Sequence, residues 1–480
     1  MIQPLKSIVF LLTQFIIIST HAQKSDSVQY ISIKDVLENI NKHHPIAYSA
    51  NLQLQYALAN QQKASGNFDP VIQYDFKQKA IENNTYYQNQ FLEFDINTKS
   101  PITPILGHEN NYGNNVNPEA YTGSSGLNYI GFEFSALKNL LTDQRRTSFN
   151  QAKIFNKQSE VIQKQILQNL HLTIWNQYIT WYVFEEQSKL LKTSIALSNE
   201  RQIAIRQLFA AGGCSGFDTL ETSVQLNQFI TKLQEVKIYS EKTKILFSAN
   251  LWNSIKTQNG VDFIPVTFKS DILPNNNYFE LLENKFTQQN VNSDSLISYQ
   301  PDLQLYVQKS NSLKLDIKLK QSYVLPKFDL KYQYLNKDIS SFNSSNLANN
   351  HRVGLSFSTP LFFRSSLGEL KTAKLKLLEN EFESTLKRRE IESKLLALKK
   401  QTLAFKEIFN MLKNVELGYL KLYQMEIKKF ESGDGTIFIL NSRESKYLEA
   451  KLKTIEQYGK YMASLAEYFR VLGLIQSIIP

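Results

Sequence analysis

Cysteine is almost missing from this chain. Cys214 is the only one in 480 residues, so no intrachain disulfide can form. Beyond the N-terminal segment, no stretch approaches the ~20 consecutive apolar residues of a membrane-spanning helix. Histidine is scarce at six residues. The neighbours His43 and His44 have no second His or Cys cluster to complete a metal site, and they read as a helix-surface pair before Pro45. The sequence also offers no nucleophile–base set, no phosphate loop and no metal-ligand spacing. It is therefore read as a non-enzyme with no cofactor and no metal. From about Asp143 to Ala211 there is neither proline nor glycine, so nothing in that stretch breaks a helix.

The charge balance is +10, from 54 basic and 44 acidic residues. The lysines are scattered along helical stretches rather than blocked, as on solvated helix faces. No recognition motif points to nucleic acid. The one long apolar run, Ile8 to Ile18, follows Lys6 and precedes Ser19-Thr20-His21-Ala22. That order describes a secretory signal peptide over residues 1–22, with cleavage expected near Ala22–Gln23. No cysteine follows the expected cut, which excludes a lipid anchor there.

A long motif occurs twice. Pro45 and Pro70 stand 25 residues apart (70−45), as do Pro301 and Pro326 (326−301). Ala152 and Gly212 stand 60 apart (212−152), as do Ala373 and Gly433 (433−373). The offset between copies is 256 in the first block (301−45) and 221 in the second (373−152). Each half therefore reads as one unit, with an insertion of 35 residues (256−221) in the first. Length alone suggests about three domains; the duplication argues for one body of two repeats, residues 23–252 and 301–480, joined by a connector over 253–300.

Within the first repeat, residues 31–66 carry helical spacing and end at Asn67 to Pro70. Ile72, Tyr74 and Phe76 then alternate with Gln73, Asp75 and Lys77, the period of a strand. Residues 78–126 are rich in Asn, Tyr, Gly and Pro, with no usable period, and are expected to form a long loop. Ile130, Phe132 and Phe134 alternate with Gly131, Glu133 and Ser135 in a second strand. A helix to Ala211 follows, about 100 Å long at ~1.5 Å per residue, as in a coiled coil. Ala210 to Gly216 breaks it, and a helix over about Phe217–Trp252 must return antiparallel. The second repeat gives helix 302–323, strands around Phe328–Tyr334 and Val353–Phe357, and a loop over 336–351. A helix over about Leu367–Glu431 comes next, then a tip at Ser432–Thr436 and a helix to about Leu474. Ile391, Leu395, Leu398, Phe405, Phe409 and Leu412 form its heptad-type seam.

Four strands of near-bilayer length, apolar on one face and polar or small on the other, suit lipid outside and water inside. The competing reading is a soluble amphipathic sheet on a core. Two points favour the membrane: the strands lie at one end of both hairpins, opposite the tips, and the helices are already committed to their own seams. Four strands cannot close a barrel, and open edges in lipid cost several kcal/mol per unpaired backbone group. Several copies sharing one barrel would remove those edges.

At this point the chain resembles the TolC-type outer-membrane efflux proteins. The resemblance rests on His44-Pro45, the helix-to-strand Pro70 and Pro326, Gly354-Leu-Ser-Phe-Ser-Thr-Pro-Leu361, and the tip pattern Gly212-x-x-Ser215-x-x-Asp218-x-Leu220. Each motif is weak alone; their duplicated order covers nearly the whole mature chain. The resemblance implies a homotrimer with a twelve-strand barrel in outer-membrane lipid and a helical tunnel across the periplasm. It also implies tips that stay closed until a periplasmic adaptor and an inner-membrane pump engage them. The expected function is a passive exit duct of a tripartite efflux or type I secretion system. The rival is a periplasmic coiled-coil adaptor or scaffold without a pore. A barrel enzyme fails for want of a catalytic set.

Many family members carry acidic residues just past the second tip. The matching places here are Ile439 and Ser442, so that ring is missing from this half; Asp218 holds the equivalent place after the first tip. Ser215 and Asp218 stand at capping-box spacing, and Asp218 is the alternative electrostatic gate. Asp434 reads as a turn residue or as a cation-attracting group at the entrance. Gly212, Gly213, Gly433 and Gly435 permit tight reversal and, with Ser215 and Thr436, are candidates for adaptor contact. Gln73, Asp75, Glu133, Asp329 and Lys331 fall on the expected lumen side.

Overall fold

The computed structural model describes residues 29–123, 125–257, 260–266, 272–288, 300–337 and 349–476. The signal segment, parts of the connector and most of the 336–351 loop lie outside the described residues.

The four long helices match the sequence pattern closely. Helix α3, Gln144–Ala210, has 67 residues and returns through α4, Gly216–Ser248. Helix α7, Arg364–Glu431, has 68 residues and returns through α8, Ile437–Val471. Each return helix covers only the tip-side half of its partner. The other half is covered by a shorter helix, α2 (Pro45–Ser65) on α3 and α6 (Pro301–Tyr323) on α7. Side-chain contacts fix the antiparallel order: Ser240 of α4 and Asn250 just past its end reach Glu185 and Gln177 of α3, while Lys309 and Lys320 of α6 pair with Glu383 and Glu369 of α7. Among the described residues, no helix is long and apolar enough to cross a membrane.

The expected single helix over 31–66 is two. Helix α1, Ile33–His43, stops at His44, whose ψ of 134° is extended. A residue before proline is driven out of the helical region by the pyrrolidine ring. His44 then caps α2, its Nδ1 accepting from the Ile46 N–H at 3.0 Å. It is buried, so the surface reading of this histidine is corrected: the kink that Pro45 imposes turns the ring inward.

Most of the apolar core lies at the middle of the long helices. Trp175, Tyr178 and Trp181 of α3 meet Phe247 of α4 and Met462, Leu465 and Phe469 of α8. The connector packs there too. It comprises strands β6 (Trp252–Thr257) and β7 (Gly260–Pro265), strand β8 (Ile272–Pro274) beside β1 (Gln29–Ile31), and helix α5 (Phe279–Gln288). The Tyr178 hydroxyl accepts from the Asn275 N–H at 2.9 Å and faces the carbonyls of Ile31 at 2.8 Å and Asn275 at 2.7 Å, which ties β1 and β8 to α3. Tyr178→Phe is expected to lower the unfolding free energy by about 1–3 kcal/mol, the cost of stranding buried polar groups. Denaturant titration of the two proteins checks it.

The largest departure concerns residues 78–126. They contain two full strands, β3 (Asn84–Asp95) and β4 (Ile102–Tyr112), between β2 (Val71–Ile81) and β5 (Leu127–Leu137). With β9 (Lys327–Asn336) and β10 (His351–Ser358) they form one antiparallel sheet of six strands, in the order β10-β9-β5-β4-β3-β2. The expected long loop is therefore a hairpin of the sheet. Glu82 and Asn83, with φ of 51° and 61°, make the two-residue turn between β2 and β3, as in a type I′ hairpin. Asp95 pairs with Val71 and with Ile105, which returns β3 all the way to the helix end before β4 starts back.

Candidate functional site

Backbone pairing places every sheet residue on one of two faces. Gln73 pairs with Glu93, Asp75 with Phe91, Glu133 with Lys331, and Asp329 with Ser135 and Ser356. Gln73, Asp75, Glu133, Asp329 and Lys331 thus share one polar face, where Glu93, Glu109, Gln333 and Arg352 join them. The opposite face carries Ile72, Tyr74, Leu92, Leu106, Ile130, Phe132, Val353, Leu355 and Phe357, all exposed. The exposure reaches 70% at Ile72 and 67% at Leu355, high for a large apolar side chain in water. Towards the far end this face turns polar, with Gln88, Gln90, Asn110 and Asn128. The apolar positions form a band and not a full wall, as in transmembrane barrels.

The polar face is concave. Lys331 on β9 lies 3.4 Å from Glu93 on β3, and Arg352 on β10 pairs with Glu109 on β4. Each pair bridges three strand spacings, about 14 Å on a flat sheet, so the sheet must curl toward its charges. Tyr129 adds to the curl. Its ring crosses Gly107 on the adjacent strand, where any side chain would overlap it, and its hydroxyl donates to Glu93 at 2.9 Å. Ser135 donates to Asp329 at 2.8 Å, and Lys327 pairs with the same carboxylate at 2.7 Å.

At the other pole, the two tips share one design. Gly212 and Gly433 have φ of 75° and 81°, the left-handed conformation that ends a helix with least strain at glycine. The Gly213 N–H donates back to Leu208, and those of Asp434 and Gly435 donate to Lys429. Ser215 and Asp218 form a reciprocal capping box: the Ser215 N–H donates to the Asp218 carboxylate at 3.0 Å, and the Asp218 N–H to Ser215 Oγ at 3.3 Å. At the second tip, Thr436 accepts from the Ile439 N–H at 3.4 Å, so Ile439 does occupy the place of Asp218. Ile439, Ser442 and Asp434 are all exposed. Because the Asp218 carboxylate is held by Ser215, Asp218→Ala is expected to cost about 1 kcal/mol of helix capping. It should change conductance or cation preference less than deletion of Gly433–Gly435, as read in planar bilayers.

Sequence reading missed a buried polar cross-brace just above the tips. Arg201 of α3 stands eleven residues before Gly212 (212−201), and Glu444 of α8 eleven after Gly433 (444−433). Their side chains meet at 2.6 Å. Tyr423 of α7 accepts from Arg201 at 3.0 Å and donates to Glu444 at 3.2 Å. Gln225 of α4 donates to Glu444 at 3.0 Å and to the Asn441 carbonyl at 3.1 Å. One cluster therefore spans all four long helices. Burial opposes the Arg201 charge, but the hydrogen bond and charge of Glu444 outweigh it and hold the guanidinium above its ordinary pKa. Burial, reinforced by the Glu444 charge, pushes the Tyr423 hydroxyl up to about 12, so it stays a donor. The mirrored spacing of Arg201 and Glu444 about the two glycines was the available signal.

Nearer the waist, His171 of α3 is buried, with Nε2 at 2.7 Å from Asn41 Oδ1 and no partner at Nδ1. Burial lowers its pKa from 6.5 to about 4. The folded state refuses a proton that the unfolded chain accepts below pH 6.5. Stability should therefore fall as pH drops from 6.5 towards 4, by up to about 3 kcal/mol. Denaturation midpoints for the wild type and His171→Gln should converge at pH 4 relative to their separation at pH 7.

The sequence matches no protein-family model, and no curated protein sequence resembles it significantly. The fold does have solved relatives. The outer membrane channel CmeC of Campylobacter jejuni superposes with a TM-score of 0.61 at 11% identity, over 92% of this chain and 86% of CmeC. The outer membrane protein VceC of Vibrio cholerae gives 0.60 at 12% identity, over 92% of this chain and 96% of VceC. The open state of the MtrE outer membrane channel of Neisseria gonorrhoeae gives 0.60 at 11%, over 92% and 88%. The chain has the fold of the TolC-type outer-membrane channels.

Proposed function

We propose that this chain is a passive exit duct of the outer membrane. Three copies share a barrel and a periplasmic tunnel, and an adaptor and an energised inner-membrane pump deliver small molecules or polypeptides to the tips. The observation that carries this reading is the apolar band on the convex face of an open-edged sheet, set at the end of helices about 100 Å long. Ile72, Tyr74, Val353, Leu355 and Phe357 of that band are each at least half exposed. Lipid satisfies the band, and further copies satisfy the edges. Exposed Leu375, Leu378, Phe382 and Leu386 run down one side of α7 and fit the same demand for a neighbouring copy.

A soluble adaptor would need its sheet face buried against the rest of its own chain. The polar face supports a wetted lumen: six acids (Asp75, Glu93, Asp95, Glu109, Glu133, Asp329) and five bases (Lys77, Lys79, Lys327, Lys331, Arg352) share it. The near balance suits passage more than selection of one ion sign. The tips serve as the gate, with the Arg201–Glu444 cross-brace holding the two hairpins of each copy together. Density-gradient separation of membranes tests the placement. The protein should band with the outer membrane and resist extraction by carbonate; recovery in the soluble periplasmic fraction would refute it.

A further inference from the structure

We infer that the shared barrel has eighteen strands, six from each of three copies, and is about one and a half times as wide as the twelve-strand barrel that the family resemblance implies. The inference rests on the shared-barrel reading above and adds to it the number of strands in the wall.

Three observations carry it. First, β3 and β4 are strands of the wall by pairing: both neighbours of each are hydrogen-bonded along most of its length, from Asp95↔Val71 through Ile102↔Phe134. The inserted hairpin sits between β2 and β5 and cannot be left out without separating them. Second, β3 and β4 obey the same two-faced rule as the others. Leu92, Phe94, Ile102 and Leu106 continue the apolar band, and Glu93 and Glu109 continue the polar face. Third, the open edges fit one another. β2 runs away from the helices and β10 runs back toward them, each paired on one side only. The β10 of one copy therefore meets the β2 of the next antiparallel, as every other pair in the sheet does, and a head-to-tail contact of this kind closes into a ring.

The widths agree as well. Four helices join the sheet in each copy: α2 enters β2, β5 enters α3, α6 enters β9 and β10 enters α7. At ~9.5 Å between helix axes, four helices occupy about 38 Å of circumference. Strands ~4.8 Å apart at a tilt of ~40° occupy about 6.3 Å each, so six need about 38 Å and four only about 25 Å. Six strands match the helical ring beneath them. The closed barrel would be about 36 Å across between backbones, against about 24 Å for twelve strands. Barrels of this strand number leave an aqueous channel, so the exit is not the size filter. Cargo size is limited at the tips.

The test is direct. The trimer is purified in lipid nanodiscs, and the strands in its barrel are counted by electron cryo-microscopy. Eighteen strands support the inference. Twelve strands, with residues 84–112 folded outside the wall, overturn it and leave the duct reading intact. A soluble protein without a barrel overturns both. Cysteine labelling in intact outer membranes gives a second reading that does not need the image. In a Cys214→Ser background, Leu106→Cys should react at least tenfold more slowly with a water-soluble maleimide than Thr103→Cys, because lipid shields Leu106 and the lumen wets Thr103. Equal rates would place β4 outside the wall and contradict the inference.

Discussion

Glu444→Ala should loosen the two helical hairpins at their tip ends by about 3–5 kcal/mol, the usual cost of removing one partner from a buried ion pair. The loss is large because Glu444 accepts from three different helices: Arg201 on α3, Gln225 on α4 and Tyr423 on α7. Without it the Arg201 guanidinium is left buried with no counter-charge. The damage should stay local, since the main core around Trp175 and Phe469 lies far up the helices. Amide hydrogen exchange should therefore rise in the tip-side turns of α3, α4, α7 and α8 and remain unchanged around Trp175. In planar bilayers the variant should open to higher conductance than the wild type. Arg201→Met combined with Glu444→Leu removes both charges together and should recover most of the lost stability, because a well-packed apolar pair often equals a buried ion pair. It should not restore closure if the charges themselves hold the tips shut.

Ile130→Arg should lower the stability of the assembled barrel by about 1–3 kcal/mol, because a lipid-facing arginine costs about 2–4 kcal/mol at the bilayer midplane and less toward the interface, where Asn128 already turns this face polar. Ile130 is 46% exposed on the apolar face of β5. Its near neighbour Glu133 points the other way, paired with Lys331 across the sheet, and Glu133→Gln should change stability by no more than about 0.5 kcal/mol. On a soluble sheet the order would invert: an arginine at an exposed isoleucine would be harmless. Urea unfolding of the reconstituted variants separates the two readings.

The helical half of this protein could be read from its sequence. The prolines at 45, 70, 301 and 326 and the glycines at 212 and 433 mark where helices start, stop or reverse, and each acts through the local backbone. The strands around Ile72, Ile130, Phe328 and Val353 announce themselves because one face is greasy and the other polar. β3 and β4 do not. On β3, Phe91 stands on the polar face and Gln88 and Gln90 on the apolar one; on β4, Pro104, Ile105 and Leu106 run together across both faces. A polar far end and a concave polar face blur the period of two, so pairing with neighbours decides these strands. Of the named site residues, the polar-face set and the two tip turns were legible. The cross-brace was not, because a polar residue on a helix reads as solvated until the packing of four helices buries it. His44 was misjudged because the turn before Pro45 redirects its side chain.

Single-channel recording of the purified protein in planar lipid bilayers, paired with mass determination of the inserted species, tests the duct itself. A trimeric duct gives discrete, uniform conductance steps, which grow when the Arg201–Glu444 brace is removed by Glu444→Ala. A protein that inserts without conducting, or conducts as a monomer, would contradict a trimeric duct.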